Sequence, residues 1–346
     1  MRAAVLNKGQ IVVRDDVAEP TPRLGHVLVQ VKACGICGSD LHFAKHGASM
    51  MALGKEMSGT IDLGGPELDL DRDVYLGHEF SAEVLEFGPD TQSEIKTGAL
   101  VTSIPILMGM DGIKPIVYSN EVTGGYGQRM LLTAPMLLEV PNGLGPDLAA
   151  LTEPMAVGLH GANKGRLEKG EGALVLGCGP VGLAVIAALS LKGVAPIVAA
   201  DFSPRRRQLA VTMGAHEAID PREETAWAAW GRAGKGRPLV VFEAIGVPGI
   251  INDIMRSVPA GSRVVVVGVC MQDDTINPFF GISKELNLQF ALGYDPMEFA
   301  QSLRSIAEGE VDVAPMITAQ VGLDRVPWAF DALGDPDEHC KIIITP

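Results

Sequence analysis

The stretch GCGPVG, residues 177–182, decides the fold, because it joins the short apolar run ALVL to the longer apolar run LAVIAALSL. A Gly-x-Gly-x-x-Gly sequence between a strand and a helix is typical of a dinucleotide-binding turn. Gly177 permits the tight turn, Gly179 lets a pyrophosphate approach the backbone, and Gly182 lets the helix pack closely on the strand. The predicted binding segment also contains Pro180 and Val181, at a helix N-terminus whose free N–H groups favour anions.

An acidic residue ends the next apolar run. Asp201 closes PIVAAD, where a carboxylate is expected to bind the ribose hydroxyls of an adenosine. Its charge repels a 2′-phosphate and so favours NAD over NADP. Arg206, in the run Arg205–Arg207, argues the other way because it could neutralise that phosphate, but the acid at the strand end carries more weight. The alternative is a plain strand–helix turn with a solvated acid, which does not explain why strand, turn, helix, strand and acid follow in this order.

Short Val-rich segments alternate with helical segments over residues 154–294. Such alternation predicts βαβ units and a parallel sheet covered on both faces, the doubly wound Rossmann arrangement of the α/β class. Residues 1–153 instead contain several short strands separated by turns, among them HVLVQVKA at residues 26–33. The sequence therefore predicts two domains, one β-rich and one dinucleotide-binding.

Three short motifs carry potential metal ligands: CGICGSDLH at residues 34–42, GHE at 77–79 and TEP at 152–154. The candidate ligands are Cys37, His78 and Glu153, with Glu79 adjacent to the histidine. A thiolate, an imidazole and a carboxylate suit zinc, and three protein ligands with an open fourth position define a catalytic rather than a structural site. Cys34 and Cys37 could instead form a redox pair, but such pairs usually open a helix, and GSDLH predicts a loop.

Composition argues against several classes of partner. The formal net charge is −14, and an acidic surface repels nucleic acid and anionic lipid. The N-terminus, MRAAVLNKGQIVVRDD, has no apolar signal segment, and no run is apolar for long enough to span a bilayer. We therefore expect a cytoplasmic protein with no membrane partner. Five scattered cysteines do not suggest a disulfide framework.

The motifs CGICGSDLH, GHE, TEP and GCGPVGL, followed by Asp201, occur in the order found in zinc-dependent medium-chain dehydrogenases. The chain resembles that family over nearly its whole length, and TEPMAVGLHG is closer to its polyol and butanediol dehydrogenases. The resemblance implies that the β-rich domain is GroES-like and catalytic and that residues 295–346 return to it. It also implies a homodimer or homotetramer, with RVVVVGV or LNLQFALGY as a sheet edge that pairs between copies.

The resemblance further implies how the metal is held. Cys37 and His78 would bind zinc, with Glu79 or Glu153 as a third protein ligand, either directly or through a bound water. The choice between the two carboxylates stays open. Asp40 would not bind the metal itself but would hold the imidazole of His78 in a fixed orientation.

Three more residues would serve the reaction. Ser39 would accept the proton of the alcohol and His42 would pass it outward, although His42 could also be a surface residue. Val269 would lie beside the nicotinamide. The expected reaction is hydride transfer between NAD and a secondary alcohol or diol, or the matching ketone or aldehyde. The alternatives are a zinc-free quinone or enone reductase, which would lack Cys37 and His78, and a dinucleotide-binding protein without catalysis.

Two features depart from the family. Many relatives hold a second, structural zinc on four closely spaced cysteines, whereas residues 100–130 contain no cysteine. We therefore expect one catalytic zinc and no structural zinc. Cys37 and His78 are also further apart than is usual, and the excess lies in residues 45–74. This methionine-containing segment is interpreted either as a lid over the substrate or as a surface insertion or oligomer contact.

Overall fold

The computed structural model describes residues 1–58, 68–110 and 112–346. Up to Ala149 its strands and helices are β1 (Ala3–Asn7), β2 (Gln10–Arg14), β3 (His26–Gly35), α1 (Gly38–Ser58), β4 (Val74–Tyr75), β5 (Glu79–Phe87), β6 (Leu100–Ser103), β7 (Ile106–Gly109), β8 (Gly112–Pro115), β9 (Arg129–Thr133), β10 (Leu137–Glu139) and α2 (Pro146–Ala149). From Thr152 they are α3 (Thr152–Lys164), β11 (Gly172–Leu176), α4 (Pro180–Leu191), β12 (Ile197–Ala200), α5 (Pro204–Thr212), β13 (Glu217–Ile219), α6 (Ala226–Gly234), β14 (Leu239–Glu243), α7 (Ile250–Ser257), β15 (Arg263–Val266), α8 (Pro278–Lys284), β16 (Asn287–Phe290), α9 (Pro296–Ala307), β17 (Ile317–Val321), α10 (Val326–Ala332) and β18 (Lys341–Ile344). Short 3₁₀ turns lie at Ala134–Met136, Ala314–Met316 and Leu323–Arg325. Within the described ranges, no helix combines the length and the apolar character that crossing a bilayer requires.

The chain divides into two compact units. Unit 1 comprises Met1–Glu153, Ile317–Asp335 and Lys341–Pro346, and unit 2 comprises Pro154–Met316 and Pro336–Cys340.

The return to unit 1 comes later than the expected residue 295. Helix α9 belongs to unit 2, because its Glu298 is bonded to α3. Asn163 Nδ2 donates to Glu298 Oε1 (2.7 Å), and His160 Nδ1 lies 2.7 Å from Glu298 Oε2. These side-chain contacts are invisible in the alternation of strands and helices, which is why the sequence places the boundary too early.

Unit 2 is built on a six-stranded parallel sheet. The strand order is β13-β12-β11-β14-β15-β16, and every neighbouring pair is parallel. This is the strand order of the dinucleotide-binding fold. Successive strands are added first on one side of β11 and then, from β14 onward, on its other side. All five residues of β11 and all five of β14 are buried, as expected for strands covered on both faces. The predicted α/β class with a doubly wound sheet is confirmed.

Unit 1 is built mainly on antiparallel strands. One pair near the end of the chain, β17 and β18, is parallel. Its main sheet has seven strands in the order β10-β6-β5-β3-β18-β17, with β9 also paired to β3. The alternation in HVLVQVKA is that of β3, whose Val27, Val29 and Val31 are buried in the core. In the antiparallel register of β3 and β5, Gly35 lies opposite Glu79. The end of β3 and the start of β5 are therefore side by side, and this brings the first two motifs together.

The segment of unusual length after Cys37 is largely helical where it is described. Helix α1 extends to Ser58, and Met50 packs against the core of unit 1. The proposed lid falls in part on residues 59–67, which lie outside the described residues.

The apolar stretch at residues 104–122 contains the hairpin β7–β8. Hydrogen bonds tie this hairpin to the main sheet. Thr133 Oγ1 accepts from Met108 N–H and donates to the Ile106 carbonyl, each at 2.9 Å, and His26 Nε2 lies 3.0 Å from the Met108 carbonyl. The hairpin thus gains its fixed position from polar contacts to β9 and β3.

Candidate functional site

Cys37 lies in the short connection between β3 and α1. Strand β3 ends at Gly35 and α1 begins at Gly38, so Cys37 directly precedes the helix. The Cys37 N–H donates to Asp40 Oδ2 in the first turn (3.2 Å), as in one half of a capping box. GSDLH is therefore the first turn of α1. The predicted loop is wrong, because the carboxylate of Asp40 stabilises the start of a helix there.

Cys34 is a packing residue and not a redox partner of Cys37. It lies in β3 and is fully buried. Burial raises the pKa of its thiol well above the usual value, and the charges of Glu79 and Asp40 raise it further. A reactive cysteine needs an accessible thiolate. The redox alternative therefore fails because Cys34 is buried, and not because GSDLH forms a loop, since GSDLH is helical.

The side chains of Cys37, His78 and Glu79 converge at the edge where β3 and β5 meet. One potential ligand atom from each, a sulfur, an imidazole nitrogen and a carboxylate oxygen, lies within 4.8 Å of the other two. His78 and Glu79 are buried and Cys37 is half-buried. Two residues that are distant in sequence from Cys37 thus meet it in a group whose ligand atoms are close enough together to bind one metal ion.

Asp40 stands behind the imidazole of His78. Its Oδ1 lies 3.6 Å from His78 Nδ1, and its Oδ2 accepts from the Tyr126 hydroxyl (2.6 Å). Burial raises the pKa of Asp40, against the opposing effects of His78 and Tyr126. Burial lowers the pKa of His78, but Asp40, Cys37 and Glu153 outweigh it, so that this pKa lies well above its usual value. Asp40 and His78 therefore each shift the pKa of the other.

Glu79 forms a fully buried ion pair with Lys341, a residue that no sequence motif singles out. Lys341 Nζ donates to both carboxylate oxygens of Glu79, at 2.8 and 2.7 Å, and to the Ile36 carbonyl at 3.0 Å. Both side chains are 1% exposed. A Cβ on Gly35 would collide with Glu79 Oε2, so a larger residue there would displace this carboxylate from its present position. The only sequence signal for this pair is a single charge inside the apolar strand CKIIIT.

Glu153 is placed near the cluster but is not part of it. It lies in the first turn of α3 and is 8% exposed. It is close enough to raise the pKa of His78, yet its carboxylate is not among the three mutually close ligand atoms. The two candidate carboxylates are therefore not equivalent in position.

Ser39 and His42 lie in the first two turns of α1. The side chain of Ser39 lies close to the hydroxyl of Tyr118, a residue that no sequence motif singles out. His42 is exposed, and its ring centroid lies 6.5 Å from that of His46 on the next turn. Burial, His46 and Lys45 all lower the pKa of His42. The neutral imidazole, which can accept a proton, is thereby favoured near pH 7.

In unit 2 the fingerprint turn and Asp201 lie together at the carboxyl edge of the sheet. Gly177 has φ +89°, which favours glycine, and a Cβ on Gly182 would collide with the Gly177 carbonyl. Cys178 N–H donates to Asp201 Oδ2 (2.7 Å), while Ser203 N–H donates to Oδ1 (2.8 Å). Helix α4 begins at Pro180, and its N-cap, Gly179, has no side chain to occupy the first turn. The geometry matches a phosphate-binding helix N-terminus.

The neighbouring arginines differ in what they contact. Arg207 Nη1 donates to Asp220 Oδ2 (3.1 Å) and to the Asp201 and Phe202 carbonyls (2.9 and 2.8 Å). Arg206 Nη1 lies 4.0 Å from where a Cβ on Gly179 would stand, and its buried Nε makes no hydrogen bond within the described ranges. Arg207 is thus occupied by protein contacts, and Arg206 is the cation next to the turn.

Val269 lies beyond β15 and is 49% exposed. A Cβ on Gly246 would collide with the backbone of Val269, so the loops after β14 and β15 are in close contact. Glu243 Oε1 accepts from the N–H groups of Ile245 (2.6 Å) and Gly246 (2.8 Å) and so fixes the first of these loops. Val269 is therefore presented at the same edge of the sheet as the fingerprint turn.

Two family descriptions match the chain. The alcohol dehydrogenase GroES-like domain matches residues 23–142, and the zinc-binding dehydrogenase domain matches residues 180–308. Together they cover well over half of the sequence. The chain belongs to the zinc-dependent medium-chain dehydrogenases. The predicted GroES-like and Rossmann domains are thereby confirmed, and so is the prediction of a zinc-dependent, NAD(P)-linked alcohol dehydrogenase.

Several relatives match this dehydrogenase over almost their whole length. The crystal structure of 2R,3R-butanediol dehydrogenase from Bacillus subtilis is 29% identical, with a TM-score of 0.82 and coverage of 100% of this chain and 99% of that one. A zinc-binding dehydrogenase from Sinorhizobium meliloti 1021, solved bound to NADP, is 27% identical, with a TM-score of 0.82 and the same coverage. Sorbitol dehydrogenase from Bacillus subtilis (strain 168) is 27% identical over 100% of this chain and 97% of its own.

Proposed function

We propose that this dehydrogenase interconverts a secondary alcohol or diol with its ketone, using NAD and one zinc ion. The convergence of Cys37, His78 and Glu79 in front of Asp40 supports the proposal most directly. The relatives that act on butanediol and sorbitol favour a secondary alcohol or a polyol as substrate. A zinc-free reductase would have no use for this set of side chains.

The residues present fit a zinc ion. Among the described residues, His78 Nδ1 and Asp40 Oδ1 have no hydrogen-bond partner, and they face each other at 3.6 Å. A histidine that binds metal through Nε2 carries its proton on Nδ1 and donates it to such a carboxylate. When bound, zinc makes an alcohol hydroxyl more acidic, as it does for water, and the nicotinamide accepts the hydride.

We assign the third direct ligand to Glu79. Its carboxylate is within the cluster, and a carboxylate has enough lone pairs to accept from Lys341 and still bind a metal. The positive charge of Lys341 offsets the negative charge of Glu79, so the ligand set neutralises less of the positive charge of zinc. Glu153, which lies outside this group of three ligand atoms, then orients a water or a substrate hydroxyl beside the metal.

Residues of α1 carry the proton of the alcohol away from the reacting carbon. Ser39 accepts the proton of the alcohol on its oxygen and releases its own hydroxyl hydrogen, which the neutral imidazole of His42 receives near the surface. Asp40 keeps His78 in one orientation throughout. The absence of cysteine at residues 100–130 and the hydrogen-bonded β7–β8 hairpin support a single, catalytic zinc and no structural one.

NAD is the proposed cofactor. Asp201 is held by two backbone N–H groups beside the fingerprint turn, where its carboxylate would bind the ribose hydroxyls and its charge would oppose a 2′-phosphate. We expect kcat/KM for NAD to exceed that for NADP by about tenfold or more, the scale of one charged contact. Arg206→Ala is expected to lower kcat/KM for NADP more than kcat/KM for NAD. Arg205→Ala, at an exposed position, is expected to change neither value. Steady-state kinetics with both cofactors measure this, and a preference of the natural sequence for NADP contradicts it.

A homodimer is the proposed assembly, formed through β16. Strand β15 is paired on both sides, so RVVVVGV supplies no edge, whereas β16 is the outermost strand. Phe290 is 60% exposed and Leu292 is 87% exposed at this edge, and such exposed apolar groups mark association surfaces. Light scattering is expected to give a mass of about two 36.5 kDa chains for the natural sequence. In Leu292→Glu the measured mass is expected to fall toward that of one chain. Val211→Glu, at another exposed apolar position, keeps the assembly, and an unchanged mass in Leu292→Glu rejects this interface.

The function itself is tested by NAD reduction, followed by nicotinamide absorbance, with secondary alcohols, vicinal diols and polyols of graded size. Primary alcohols of matched length serve as the comparison. Turnover of the secondary alcohols or diols supports the proposal. A zinc-loaded protein that turns over none of them rejects it.

A further inference from the structure

Tyr118 is fixed against α1 at two points. Its hydroxyl lies close enough to the Ser39 side chain to interact with it. Its ring stacks on Phe43, with centroids 4.0 Å apart and planes inclined by 11°. Ser39 and Phe43 are four residues apart and so lie on one face of the helix. The tyrosine therefore covers the face of α1 that carries the proposed proton acceptor.

The backbone beside Tyr118 is also held. Tyr75 N–H donates to the Ser119 carbonyl (2.7 Å), and Ser119 N–H donates to the Tyr75 carbonyl (3.2 Å). Ser119 Oγ accepts from the N–H groups of Glu121 (3.1 Å) and Val122 (2.9 Å). These contacts leave the phenol little freedom to move away from Ser39.

A serine hydroxyl on its own rotates and offers no defined direction for a proton. To accept a proton from an alcohol, Ser39 must present a lone pair to it while its own hydrogen points toward His42, the next acceptor, to which that hydrogen passes. We propose that the Tyr118 hydroxyl is a positioning group, which holds the Ser39 hydroxyl in the orientation that proton transfer requires. This inference rests on the proposed function, because it assigns a partner to the residue that accepts the proton.

Tyr118→Phe tests the inference, because it keeps the ring on Phe43 and removes only the hydroxyl. We expect kcat to fall about tenfold, the value of one hydrogen bond, with KM for the alcohol changed by less than about twofold. The solvent deuterium isotope effect on kcat is expected to rise, because proton transfer becomes slower. Zinc content and NADH binding, measured by fluorescence, stay as in the natural sequence. Tyr75→Phe is the matched control, and its kcat is unchanged.

A double-mutant cycle with Ser39→Ala separates positioning from a general structural role. If Tyr118 acts through Ser39, then Tyr118→Phe has no further effect on kcat in the Ser39→Ala background. A kcat unchanged by Tyr118→Phe in an active enzyme overturns the inference, and so does a full tenfold loss in the Ser39→Ala background. An enzyme with zinc but no turnover before any substitution overturns the proposed function as well.

Discussion

Replacing Glu79 with Gln is expected to remove the zinc and to lower kcat by a factor on the order of 10³, about 4 kcal/mol of transition-state stabilisation. The substitution is combined with Lys341→Met, so that no buried charge is left without a partner. The reason for the effect is geometric: the Glu79 carboxylate lies within 4.8 Å of the ligand atoms of Cys37 and His78. Zinc per chain is measured by elemental analysis, and kcat on the same samples.

Glu153→Gln is the matched comparison. It keeps the shape of the side chain and lies outside the cluster, so the zinc is expected to remain while kcat falls about 10–100-fold, as for an outer partner of a metal site. Zinc lost from Glu153→Gln and kept in the Glu79 variant would reverse the two assignments.

Lys341→Met alone is expected to lower the free energy of unfolding by about 3–5 kcal/mol, because it leaves the Glu79 carboxylate buried without its cation. Both side chains of this pair are 1% exposed, so water does not replace the lost partner. Thermal and urea unfolding of chelator-treated protein measure the effect without a contribution from zinc binding.

An exposed ion pair in the same unit is the control. Lys32 and Glu83 lie 2.7 Å apart at 36% and 34% exposure, so Lys32→Met is expected to cost less than about 1 kcal/mol. Adding Glu79→Gln to Lys341→Met restores most of the lost stability, because the orphaned charge is gone. Equal losses at Lys32 and Lys341, or no recovery in the double variant, would show that the buried pair has no such role.

The parts of the molecule that local sequence determines were predictable. GCGPVG lies between a strand and a helix and requires glycine at two close contacts, so the turn and Asp201 identify unit 2 from the sequence alone. Cys37 and His78 were also predictable, because each follows or begins a strand with a clear alternation. The pairing of β3 with β5 then brings the two side chains together at the proposed metal site.

Other features depend on contacts that no local pattern contains. Lys341 reaches Glu79 only because β18 pairs with β3, which in turn pairs with β5. Tyr118 meets Ser39 only through the fold of the stretch after the β7–β8 hairpin. The loop expected for GSDLH is a helix because Asp40 bonds to the Cys37 N–H. Likewise, α9 joins unit 2 because Glu298 bonds to His160 and Asn163.

Zinc titration of the chelator-stripped enzyme, with bound zinc and NAD reduction followed on the same samples, tests whether one zinc ion per chain supports the reaction. We expect turnover of a secondary alcohol or diol to rise in proportion to bound zinc and to reach its maximum at one zinc per chain. Full turnover in the stripped enzyme, or a maximum only at two zinc ions per chain, would contradict this expectation.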